Sequence, residues 1–147
     1  MKFEDLVNET GFCISFEQVS VPKSKGVNLR FIVHKAKDSW QLRVHPQPDV
    51  EVTAYQIDFS YYITFLAAVN MYTRWNDDER FRGDAFRIYE KSMFLDYLEN
   101  EWKLSGPELP GKRPILYALA CIDHIVYIVS HEEPIVTKIT SDITERN

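Results

Sequence analysis

An α+β fold, with about three helices packed on a mainly antiparallel sheet in a single globular domain over residues 1–147, is what this sequence predicts. Three observations carry the prediction. Leu29, Phe31 and Val33 alternate with Arg30, Ile32 and His34, the period-two mark of a strand with one buried face. From Met93 to Leu104 the apolar residues recur at helical spacing behind Ser92, a credible N-cap. Residues 115–129, ILYALACIDHIVYIV, are apolar throughout except for Asp123 and His124. Hiding such a run gains roughly 25 cal/mol per Å² of apolar surface, which makes it a central strand or strand pair on which the rest is organised. It is shorter than the ~20 residues a bilayer core demands and is split by an ionisable pair, so no membrane span is expected.

Taken in order, Phe3, Leu6 and Val7 fall on one helical face and Gly11 stands where a helix would end, giving a short opening helix over residues 3–9. From Phe12 the period becomes two, with Phe12, Ile14 and Phe16 facing inward, until Pro22 to Gly26 stops the strand. Leu29–His34 and Trp40–His45 both alternate and are separated by Lys35–Ser39, which reads as a β-hairpin with a loop near residues 35–38, ended by Pro46 and Pro48. Val50 to Ile57 reads as a further strand. Ser60 to Trp75 has no Gly or Pro and carries Tyr61, Phe65, Ala68 and Tyr72 at helical spacing, so a buried helix is expected there. Its β-branched and aromatic content leaves a strand as the alternative. Asn76 to Gly83-Asp84 reads as a loop and Ala85–Tyr89 as a short strand. The helix Met93–Leu104 turns Phe94, Leu95, Leu98 and Trp102 inward and ends at Gly106-Pro107. A proline-rich loop leads into residues 115–129, Asp123-His124 reads as a polar turn, and the chain after Pro134, with a polar tail from about residue 137, is expected to fray.

With 147 residues, 45% of them hydrophobic and 14% aromatic, the chain is long enough to bury one core and far from a disordered composition. A net charge of −5 repels phosphate backbones, and no aromatic residues are interleaved on a basic face, so nucleic acid is not an expected partner. Cys13 and Cys121 both lie in apolar surroundings, and the start Met1-Lys2-Phe3-Glu4-Asp5 has no apolar signal region; a reduced, cytoplasmic setting is the expectation.

Three constellations could carry chemistry. Period-two counting puts Arg30, His34, Gln41, Arg43 and His45 on one face of the expected hairpin, where two arginines need an acidic group to offset them, whether Glu51, a ligand or a partner. The acidic residues Asp77, Asp78, Glu79, Asp96, Glu99, Glu132 and Glu133 would steer a basic protein if the fold gathers them. Cys121 with His124 and His131 has one Cys-x-x-His spacing but no second ligand pair, and the two histidines point to opposite faces of a strand, so no metal is expected. The sequence contains no glycine-rich phosphate loop, nucleophile elbow, HExxH or paired Cys-x-x-Cys, and no cofactor is implied. The expected function is that of a small, soluble, non-catalytic domain that binds another protein. In its specific form it is an immunity-like inhibitor that neutralises a toxin through an acidic, aromatic-rich surface. The alternatives are a ligand-binding domain or enzyme with its site on the Arg30/His34/Arg43/His45 face, and a homodimer formed through an edge strand.

Overall fold

The computed structural model describes residues 1–45, 51–74 and 76–139, and shows an α+β chain built from two antiparallel sheets and three helices. The elements run α1 (Phe3–Val7), β1 (Cys13–Ser20), β2 (Leu29–Ala36), α2 (Ser39–Val44), β3 (Thr53–Phe59), β4 (Thr64–Val69), β5 (Arg80–Gly83), β6 (Phe86–Lys91), α3 (Met93–Glu101), β7 (Ile115–Ala120), β8 (His124–Ser130) and β9 (Ile135–Ile139). One sheet has the order β1-β2-β3-β9 and the other β4-β8-β7-β6-β5.

The two sheets share one core. Ile14, Phe31, Val33, Ile57 and Phe59 from the first meet Phe86, Tyr117, Leu119, Val126 and Ile128 from the second, each buried. Rings interlock across the layer, Phe31 against Phe65 at 5.7 Å and Phe59 against Tyr117 at 5.6 Å, both edge to face. α1 closes one end, with Phe3 edge-on to Phe86 and Tyr117. α3 covers the opposite face of the second sheet, where Leu95 and Leu98 pack on Tyr89, Leu116, Ala118 and Val129.

That arrangement explains residues 115–129, which form the hairpin β7–β8, with Ile115 opposite Ser130 and Ala120 opposite Ile125. Tyr117, Leu119, Val126 and Ile128 point into the layer between the sheets, and Leu116, Ala118 and Val129 point toward α3. Both faces of these strands are covered, so an unbroken apolar run is what they require. Cys121 to Asp123 make the turn. Its geometry is fixed by Asn70, whose side-chain amide donates to the Cys121 carbonyl at 3.0 Å and whose N–H donates to the Asp123 carbonyl at 3.1 Å.

Several expectations are corrected. Residues 40–45 are not a strand: α2 starts where the Asp38 N–H donates to the Gln41 side-chain carbonyl at 2.9 Å, a helix-start signature whose local hydrogen bonds outweigh the alternation of Trp40, Leu42 and Val44. Only Leu42 of α2 is buried, while Trp40 lies exposed. β2 therefore pairs with β1 and β3, not with residues 40–45. The described residues 60–74 are not a helix either: Thr64–Val69 is a strand followed by a single 3-10 turn, Asn70–Tyr72. The apolar strand β8 needs partners on both edges, and β4 supplies one of them along its whole length. β5 forms inside the stretch expected to be a loop, pairing with β6. Trp102 is 46% exposed at the end of α3, not turned inward. Beyond Pro134 the chain does not fray at once, because Ile135–Ile139 pairs with β3. The expectations for Pro46, Pro48 and Val50, for Trp75 as a helix end, and for the tail beyond Ile139 lie outside the described residues.

Candidate functional site

The acidic residues are only partly gathered. Asp77 and Asp78 lie exposed in the turn before β5, with the Asp78 N–H donating to the Asn76 side-chain carbonyl at 2.9 Å. The neighbouring Glu79 carboxylate accepts the Met93 N–H at 3.0 Å and so binds the acidic turn to the N-terminus of α3, where a negative charge is favoured by the helix dipole. Ser92 caps the same helix, its hydroxyl accepting from the Phe94 N–H at 3.1 Å. Asp96 is exposed in the first turn of α3. Met93 and Tyr97, one turn apart, are 64% and 56% exposed. Asp77, Asp78, Glu79 and Met93 line one cleft together with Arg74, and Asp96 and Tyr97 lie a turn further along α3. Glu99 lies toward the other end of α3, bordering a cleft with Trp102, Lys103 and the loop that ends at Pro114. Glu132 pairs with Lys112 at 3.2 Å and Glu133 is exposed beside it in sequence, so this pair belongs with that loop, not with Asp77–Glu79.

The basic face expected on a hairpin is divided between elements. Arg30 and His34 share one side of β2, whereas Gln41 and Arg43 sit on α2 and His45 ends it. Arg30 is offset by Asp58, not Glu51: its Nε and one terminal nitrogen reach the two carboxylate oxygens at 2.7 and 3.2 Å. The Gln41 side chain is committed to starting α2. His34 and His45 do come together, ring centroids 4.5 Å apart and edge to face, with the Glu17 carboxylate 3.3 Å from His34 Nδ1. Burial holds the His34 pKa below its ordinary value; the Glu17 charge opposes this and His45 adds to it.

The third constellation is dispersed. Cys121 is buried, its thiol directed at the Leu119 carbonyl, and burial pushes its pKa up to about 12, so it is not poised as a nucleophile. His124 begins β8 against the Phe16 ring, and His131 follows the far end of that strand against Tyr61.

Sequence reasoning missed a cleft of about 460 Å³ on the outer face of the five-stranded sheet. The chain leaving β4 crosses this face to reach β5, placing Thr73, Arg74 and Asn76 along one wall, while Tyr89, Tyr127 and Ile125 line the sheet side. Arg87 is held there by the Asp84 carbonyl at 2.6 Å, lies 4.1 Å from the Phe81 ring centroid and reaches the Tyr89 hydroxyl at 3.3 Å. Burial, with the adjacent Tyr89, raises the Tyr127 pKa further above the neutral range, and its neutral phenol offers the cleft a hydroxyl that can donate or accept. The walls offer donors for a polar group; Glu79, the carboxylate nearest the acidic turn, is already occupied by Met93. The i, i+2 spacing of Arg87 and Tyr89 was a readable sign that they share a strand face, but which face stays open depends on where α3 and the crossing chain lie. Compared with known proteins, the chain matches no family model, no curated protein and no solved structure.

Proposed function

We propose that this chain is a small, non-catalytic protein-binding domain of the immunity type, which neutralises a basic partner by covering its surface. The observation that carries the reading is the Glu79–Met93 hydrogen bond, which holds the acidic turn at the N-terminus of α3 so that Asp78 and Asp96 flank exposed Met93 and Tyr97. Large, half-exposed apolar side chains ringed by charge are the composition of an interface with anchors at its centre, and the carboxylates would speed the approach of a positively charged surface. The site then lies on the acidic turn and α3, with Glu132 and Glu133 as a separate acidic edge. Affinity capture from native lysate, with the wild-type chain and an Asp78→Lys/Met93→Glu variant run side by side, tests this. A stoichiometric basic protein held by the wild type and reduced at least roughly tenfold by the variant is expected, since an anchor residue is worth about 2 kcal/mol or more. A partner retained equally by both, or none recovered in repeated trials, would sink the proposal.

A further inference from the structure

The two sheets have four outer edges, and three of them are protected against pairing with another chain. β1 has a bulge between Phe16 and Gln18, with Glu17 and Gln18 exposed there. β9 carries exposed Lys138 and is bridged at its start by the chain terminus, Lys2 pairing with Ile135 and the Val136 N–H donating to the Met1 carbonyl. β5 is four residues long and exposes Arg80 and Arg82. These are devices by which sheet edges are commonly blunted.

β4 has none of them. Its six residues, TFLAAV, contain no charge and no proline, and its register with β8 runs from Thr64 opposite Val129 to Val69 opposite His124 without interruption. No described residue pairs with its other side. Leu66 is 45% exposed and Val69 42%, and they are flanked by Tyr61 at 38%, Met71 at 78% and Tyr72 at 82%.

We infer that β4 is a self-pairing edge: two copies of this chain join antiparallel through it and fuse their five-stranded sheets. Paired residues of an antiparallel ladder face the same side, and a two-fold axis at Leu66 satisfies this, setting Leu66 against its counterpart, Phe65 against Ala67 and Thr64 against Ala68. The same symmetry carries Met71 of each copy toward Tyr61 of the other, a sulfur–aromatic pairing of two side chains now exposed to water. Charge favours a second copy as the occupant. Lys23 lies with Tyr61, Tyr62 and Ile63 at the beginning of β4, whereas Asp123, its carboxylate 57% exposed and 3.1 Å from His124 Nδ1, lies at the end. Antiparallel pairing brings the lysine end of each copy to the aspartate end of the other, so a chain of net charge −5 meets itself through an uncharged strand with complementary ends.

Light scattering and sedimentation on the full chain test this independently of the acidic face. The wild type is expected to show the mass of two chains, falling toward one on roughly hundredfold dilution. Leu66→Lys, which places like charges together at the axis, should give one chain's mass at every concentration with an unchanged circular dichroism spectrum. Lys23→Glu should weaken association by roughly fivefold, and adding Asp123→Lys should restore it. A wild type that stays at the mass of one chain at the highest concentration, or a dimer that Leu66→Lys leaves intact, would overturn the inference.

Discussion

Asp58 is occupied from two directions, taking both nitrogens of the Arg30 fork and, at 2.9 Å, the Gln56 side-chain amide, so a charge that looks available on a strand face is already spent within the fold. His34 is different. It lies largely buried between Glu17 and His45, and burial keeps its pKa below the ordinary histidine value while Glu17 only partly offsets the effect. In the unfolded chain His34 takes up a proton near its ordinary pKa of about 6.5; in the folded chain it does so only at lower pH. As pH falls through that window the unfolded state binds more protons, so stability contributed by neutral His34 is complete above the unfolded pKa and declines as pH falls toward the folded pKa. Urea unfolding from pH 7.5 to 5 should show this decline in the wild type and a shallower one in His34→Gln. Identical slopes would mean that His34 does not carry the effect.

At the scale of elements, the turn between β5 and β6 depends on Gly83, which adopts φ +99° and sits so close to the chain ahead that an added Cβ would lie 2.0 Å from the Phe86 carbonyl oxygen. Neither the dihedral nor the space suits a side chain, and Gly83→Ala should cost about 2 kcal/mol or more, read as a lowered denaturant midpoint. A change below about 0.5 kcal/mol would show that the turn relaxes freely. α3, β2 and the β7–β8 pair were legible in the sequence because each follows one rule throughout: a serine cap with an apolar stripe, clean alternation, or burial on two faces. β4 was not. As an edge strand whose Leu66, Ala67 and Val69 are exposed, it presents no alternation, and its aromatic spacing imitates a helix. α2 failed the other way, since six residues that happen to alternate were governed by the Asp38–Gln41 start signal. For the candidate site, the acidic turn and the exposed side of α3 were readable as clusters, whereas their junction through Glu79 and Met93, and the cleft around Arg87, required knowing which distant segments cross the outer sheet.

At the scale of the whole molecule, the chain closes on itself: β9 pairs with β3, Ala54 opposite Ile139, and β4 pairs with β8 across three intervening strands of sequence. Set against these, β7 and β8 are joined by a three-residue turn and can zip together locally. That contrast has a kinetic meaning. Searching for partners far apart in sequence is slow, so refolding should take milliseconds to seconds, with the β7–β8 hairpin as the earliest ordered seed and the β3–β9 ladder among the last contacts made. Stopped-flow fluorescence would register this, and refolding complete within microseconds would contradict it. A nascent chain emerging during synthesis would then hold its first sheet unfinished, with the side of β3 that β9 covers still open, until the segment around Val136 arrives to seal it.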